Sequence, residues 1–113
     1  MHEMAVTRSM LDLVLAEAAK SGGARVKAIN IVLGEMSGVV DRCVQFYFDY
    51  MSKDTPAEGA ALNFRKVANQ ARCRQCGNTF SPRDIFWSCN ICHSMEIEIT
   101  GGNELYLESI EVE

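Results

Sequence analysis

No stretch of this chain approaches the ~20 consecutive apolar residues that a membrane-crossing helix needs, so no membrane association is expected. Positive charge is not in surplus either. The 11 Lys and Arg against 15 Asp and Glu leave a net charge of −4, which argues against generic affinity for nucleic acid. No phosphate-cradling loop, nucleophile–base pairing, internal repeat or low-complexity tract is visible, so no enzyme is expected. No N-terminal export signal is expected either. Met10 to Ala18 imitates one, but Asp12 interrupts its apolar run and Glu3 offsets Arg8 in what would be the basic region. With 113 residues, 48% of them apolar, the chain is one domain, or a small domain carrying a metal-held module.

Against that background the cysteines stand out. Four of the 5 fall in two pairs, Cys73-Arg74-Gln75-Cys76 and Cys89-Asn90-Ile91-Cys92. Two residues between thiols let one tight turn aim both sulfurs at a single ion. Two such knuckles supply the four tetrahedral thiolates of a structural Zn²⁺. Gly77 suits a turn that must double back with positive φ. Four buried or disulfide-bonded cysteines are the competing reading, and it leaves the paired spacing unexplained. Thiols used as ligands imply a reducing compartment, so a cytoplasmic location is expected. Such a ribbon has little core of its own, and metal binding would supply most of its folding free energy.

Around the ribbon, apolar spacing predicts a helix over residues 4–20, with Met10, Leu13, Val14 and Ala18 as its stripe, ending at Ser21-Gly22-Gly23. Residues 26–33 read as a buried strand, with Ile29, Ile31 and Leu33 on one face and Val26, Ala28 and Val32 on the other. A second helix is expected over 40–51, with Cys43, Phe46, Tyr47, Tyr50 and Met51 inward; Cys43 then reads as a small core residue. Residues 61–67 alternate as a half-exposed strand, with Leu62 and Phe64 inward. Residues 95–100 and 104–112 alternate apolar and acidic residues about Gly101-Gly102-Asn103, as in a hairpin. The expected fold is α+β, two helices packed on a small mixed β-sheet, with the zinc-ribbon module inserted. Its boundaries are 1–70 and 95–113 for the α+β domain and 71–94 for the ribbon.

The amino terminus carries a second chemistry. A free α-amino group, the amide nitrogen of His2 and its imidazole can close adjacent chelate rings on one ion, and the amide nitrogen or carboxylate of Glu3 can take a fourth position. Such planar, nitrogen-rich coordination suits Ni²⁺ or Cu²⁺ rather than tetrahedral Zn²⁺. The first amides of a helix have no intrahelical acceptor, so deprotonating them breaks no helical bond. Methionine removal is not expected before so large a second residue. Taken alone, a histidine at position 2 is more often a solvated terminal residue, and Glu3 an acid at the positive end of a helix.

Resemblance adds to this. Met1-His2-Glu3-Met4 opening directly into a helix, the two-knuckle ribbon, and Gly101-Gly102-Asn103-Glu104-Leu105 together resemble the HypA/HybF family of hydrogenase maturation factors. The similarity covers essentially the whole chain. It implies a nickel metallochaperone that binds Ni²⁺ as cargo at Met1, His2 and Glu3 and holds a structural zinc at Cys73, Cys76, Cys89 and Cys92. It also implies work with the nickel-handling GTPase HypB, delivering nickel to the [NiFe]-hydrogenase large subunit. Many members have proline and glycine in the second knuckle where Asn90 and His93 stand here. Four thiolates fill a tetrahedral site, so His93 is not expected as a ligand. A homodimer stays open.

Two other classes compete. A zinc-ribbon nucleic-acid binder would use the basic run Arg65, Lys66, Arg72, Arg74 and Arg83 with Phe80, Phe86 and Trp87. The same run reads alternatively as solvated surface, or as compensation for the roughly −2 formal charge of a zinc tetrathiolate. A one-electron carrier with iron in the thiolate site is the third.

Overall fold

The computed structural model describes residues 3–82 and 88–113. In order it contains α1 (Glu3–Lys20), β1 (Val26–Gly34), α2 (Asp41–Met51), β2 (Ala61–Val67), β3 (Gln70–Cys73), β4 (Thr79–Phe80), β5 (Ile97–Gly101) and β6 (Leu105–Val112). The strands form two three-stranded sheets, ordered β2-β1-β6 and β4-β3-β5. β1 runs parallel to β2 and antiparallel to β6. The first sheet is therefore mixed, and α2 is the crossover that parallel neighbours require. The molecule is elongated, 55 × 23 × 16 Å. Among the described residues, no helix is long and apolar enough to cross a membrane.

The core lies where α1 and α2 meet β1. Leu11, Val14 and Ala18 from α1, Ile29, Ile31 and Leu33 from β1, and Val44 and Phe48 from α2 are all buried there. Leu62 and Phe64 pack against this cluster from β2, as their alternation predicts.

α1 buries Met10, Val14 and Ala18 of its expected stripe but not Leu13, and α2 is rotated from its expected face. On α1, Leu11 and Thr7 are fully buried, whereas Leu13 is 56% exposed. On α2, Val44 and Phe48 face inward while Phe46 and Tyr50 are 70% and 73% exposed, and Cys43 is only half-buried. The reason is compositional. Seven of eleven α2 positions are apolar, so several stripes at helical spacing compete, and the position of β1 decides among them.

The hairpin expected over 95–112 does not form. β5 pairs antiparallel with β3 in the second sheet, and β6 pairs with β1 in the first. The chain changes sheets at Gly101-Gly102, and the turn after β1 holds it there. Gly34 donates its N–H to the Glu104 carbonyl at 2.6 Å and Met36 to that of Gly102 at 2.7 Å. Glu35 bridges to the other crossing, giving its N–H to the Val67 carbonyl at 2.9 Å and accepting the Asn69 N–H at 3.1 Å. Gly34 is packed so closely on this crossing that a Cβ there would lie 2.1 Å from the Gly102 carbonyl oxygen. The second sheet thus lies in sequence between β2 and β6, and residues 97–101, expected in the main sheet, belong to it as β5.

Candidate metal centre

β3 ends at Cys73, and the chain then turns through the first knuckle. Cys73 donates its N–H to the Asn78 carbonyl at 2.8 Å and accepts the Gly77 N–H at 2.9 Å. Gly77 has φ 79°, and the chain returns as β4, where Thr79 faces Arg72. The second knuckle repeats this pattern. Cys89 donates to the Ser94 carbonyl at 2.9 Å and accepts from His93 at 3.0 Å, with His93 at φ 62°. Main-chain closure at both turns points each thiol pair at one place.

The four thiols converge. All four sulfurs lie within 4.8 Å of one another, and the Cys73–Cys92 and Cys76–Cys89 pairs are each 3.5 Å apart. A tetrahedral ion with bonds near 2.3 Å spaces its sulfurs about 3.8 Å apart. The donor set and its spacing therefore fit a closed tetrathiolate site. Among the described residues the group is made of these four cysteines alone, so His93 does not join it. Disulfide pairing, the competing reading, needs sulfurs near 2.05 Å, and all five cysteines are free thiols.

Main-chain N–H groups also aim at the sulfurs. Cys76 donates to the Cys73 sulfur at 3.5 Å, and Ile91 and Cys92 to the Cys89 sulfur at 3.4 Å each. The Cys92 N–H, with that of Ile91, draws the Cys89 thiol down to about 6 against the cost of its burial. The Cys76 N–H lowers Cys73 in the same way. Cys92 moves oppositely, to about 12. The Ser94 N–H favours its thiolate, but burial and the sulfurs of Cys73, Cys76 and Cys89 outweigh it. The leading cysteine of each knuckle thus ionises readily, and the second needs a cation to share the charge.

One residue that sequence reading missed ties the knuckles together. The Asn78 side-chain N–H donates to the Cys89 sulfur at 3.7 Å and to the Asn90 side-chain oxygen at 2.6 Å. Nothing in its spacing marks it, because its partner knuckle comes from a distant segment. Around the centre, among the described residues of 70–101, only Ala71, Cys73 and Cys89 are buried. A bound ion is left as the organiser of this half of the molecule.

The basic run finds carboxylates. Arg65 pairs with Glu108 at 2.9 Å, Lys66 with Asp41 at 3.0 Å, and Arg72 and Arg74 both reach Glu98. Arg83, Phe86 and Trp87 lie outside the described residues.

At the other end, Met1 and His2 also lie outside the described residues. Glu3 opens α1. Its carbonyl accepts the Thr7 hydroxyl at 2.6 Å, and its carboxylate accepts the Val40 N–H at 3.3 Å.

Comparison with known proteins gives a consistent result. The family described as "HypA: Hydrogenase/urease nickel incorporation, metallochaperone, hypA" matches residues 1–112. A relative from Dehalococcoides mccartyi, named hydrogenase maturation factor HypA, is 39% identical over 113 residues, covering 100% of this chain and 95% of the relative. One of the same name from Caldanaerobacter subterraneus is 40% identical, with 100% of each chain covered. Among solved structures, a HypA solution structure matches with TM-score 0.73 at 26% identity, covering 99% of this chain and 96% of the other. The solution structure of the Ni metallochaperone HypA from Helicobacter pylori matches with TM-score 0.66 at 26% identity, covering 99% and 97%.

Proposed function

Because this chain belongs to the HypA family of hydrogenase maturation metallochaperones, we propose that it binds Ni²⁺ at Met1, His2 and Glu3 and hands the ion on during [NiFe]-hydrogenase assembly. The observation that carries this reading is the start of α1 at Glu3. The amides at a helix start have no intrahelical acceptor, so the Glu3 nitrogen is available to a metal. With the α-amino group, the His2 amide and the His2 imidazole it makes a planar four-nitrogen set, which favours nickel over zinc.

The four-cysteine centre takes the other role. It holds zinc, all four positions are filled by thiolate, and no site is left open for catalysis. The protein works as a carrier and not as an enzyme. Its partners are the GTPase HypB, which handles nickel, and the hydrogenase large subunit, which receives it. These steps occur in the cytoplasm, where thiolates stay reduced. Self-association to a homodimer is compatible with this role. The division into a nickel-binding unit and a zinc ribbon follows the two sheets, with the ribbon extended to Gly101 to keep β5.

Four residues of the alternative nucleic-acid surface, Arg65, Lys66, Arg72 and Arg74, are each engaged by a carboxylate and offer phosphates little net charge.

The test is to block the amino terminus. Adding residues ahead of Met1 replaces its α-amino group with an amide. Nickel binding should then be abolished while zinc content and fold persist. Strong nickel binding by the extended chain would contradict the proposal.

A further inference from the structure

Glu3 offers a metal two groups, its backbone nitrogen and its carboxylate. The geometry points to a different task for the second. We propose that the Glu3 carboxylate is a latch fixing the amino terminus to the start of α2, and that it is not a nickel ligand. The inference rests on the nickel reading above and concerns how that site is positioned.

The latch joins residues 37 apart in sequence, with the Val40 N–H donating to the Glu3 carboxylate at 3.3 Å. Val40 is the residue ahead of α2, extended at φ −97° and ψ 120°, and its own side chain makes no capping bond. Valine cannot make one; the Asp41 carboxylate takes the Arg42 N–H at 2.8 Å, which leaves the Val40 N–H, ahead of the first turn, to find an acceptor outside α2. The Glu3 carboxylate supplies it from another helix, and its charge is favourable there.

Both sides of the latch are anchored. On the α2 side, Asp41 is held by Lys66 at 3.0 Å, and Val39 and Val44 on either side are buried in the core. On the α1 side, Thr7 is fully buried and its hydroxyl holds the Glu3 carbonyl at 2.6 Å. Glu3 is therefore fixed by main chain and side chain together, while its amide N–H has no helical acceptor to lose. A nickel ion would meet the Glu3 nitrogen already in place. Ordering one residue in advance is worth roughly tenfold in affinity.

Nickel titrated into the untagged full chain tests this, following affinity and the visible d–d spectrum. Glu3→Gln keeps an oxygen acceptor for Val40 but removes the carboxylate. It should bind within about threefold of the unsubstituted chain with the same spectrum, since the latch persists. Glu3→Ala should weaken binding about tenfold, again without a spectral change, because the nitrogen ligands remain. Val40→Pro removes the donor N–H without touching a candidate ligand and should weaken binding like Glu3→Ala. The inference is overturned if Glu3→Gln is as weak as Glu3→Ala with an altered spectrum. It is equally overturned if Glu3→Ala or Val40→Pro binds at full strength.

Amide exchange at Val40 gives a readout free of nickel. Exchange should be slow in the unsubstituted chain and in Glu3→Gln, and fast in Glu3→Ala. If the unsubstituted chain takes up no nickel, the nickel reading fails, and this exchange still decides the latch. Unchanged protection in Glu3→Ala would overturn it.

Discussion

Gly77 and His93 occupy one and the same place in two copies of a turn. Each follows the second thiol of its knuckle, each has positive φ, 79° and 62°, and each donates its N–H to the carbonyl of the leading cysteine. The copies are sixteen positions apart, and Cys73 and Cys89, like Asn78 and Ser94, correspond in the same way. The metal centre is thus a pseudo-symmetric pair of turns, one built with glycine and the other with histidine in a backbone conformation that a β-carbon disfavours.

His93→Gly should therefore stabilise the metal-loaded protein, by about 1 kcal/mol, since a side chain at positive φ is strained. Gly77→Ala should cost about 1–2 kcal/mol for the same reason, because a Cβ there meets nothing within 4 Å. Thermal unfolding of the zinc form measures both. If His93 were a ligand, His93→Gly would instead speed metal loss to a chelator.

Removing the ion, or replacing Cys89 with serine, should unfold one half of the molecule and spare the other. Among the described residues of 70–101 only Ala71, Cys73 and Cys89 are buried, whereas the core between α1, α2 and β1 contains no metal ligand. Amide NMR signals of β3 and β5 should lose dispersion while those of β1 and β2 persist. Cys43→Ser should leave metal content unchanged.

Gly34→Ala should destabilise the fold by about 3 kcal/mol, because the added Cβ would meet Gly102 and Glu104 backbone atoms at 2.1 to 2.6 Å. Backbone cannot swing aside as a flexible side chain can. Gly59→Ala is the control. It has positive φ but open space around it, and should cost about 1 kcal/mol, the conformational penalty alone. Chemical denaturation distinguishes the two.

Glu98 should titrate below its ordinary value of 4.5, held there by its hydrogen bond and charge attraction to Arg72 and further by Arg74. A depressed carboxyl contributes stability that is present above the ordinary value and lost as pH falls through the depressed one. Replacing Arg72 with methionine should move the Glu98 carboxyl-carbon titration upward, read by NMR. An unmoved titration would show that the pair seen at the β3–β5 register contributes nothing.

What could be read from the chain itself divides along the range of the interactions. The two knuckles were legible because their chemistry is local. Thiol spacing fixes the turn, and the turn fixes where the sulfurs point. Element order was legible too, from apolar period and from stops such as Ser21-Gly22-Gly23. The buried face of α2 was not. Phe46 and Tyr50 share a helical stripe that looks as good as that of Val44 and Phe48, and only the placement of β1 selects between them. Phe48→Ala should accordingly cost about 3–5 kcal/mol, whereas Tyr50→Gln should stay within about 0.5 kcal/mol of the unsubstituted chain. Strand partners were likewise hidden. Residues 95–100 and 104–112 alternate alike, and alternation says which face is apolar but not which strand lies alongside. The Glu3–Val40 contact spans the first helix and strand and leaves no sequence mark.

The central claim is that the cargo site lies in the first three residues and not in the cysteine centre. Isothermal titration of nickel into the untagged protein, comparing the unsubstituted chain with His2→Ala and measuring zinc in both, tests it most directly. The account predicts clear nickel binding that is lost in His2→Ala, falls as pH drops through the imidazole and α-amino range of about 6.5 to 8, and leaves zinc content equal in the two proteins. Nickel binding by His2→Ala as strong as that of the unsubstituted chain would contradict it.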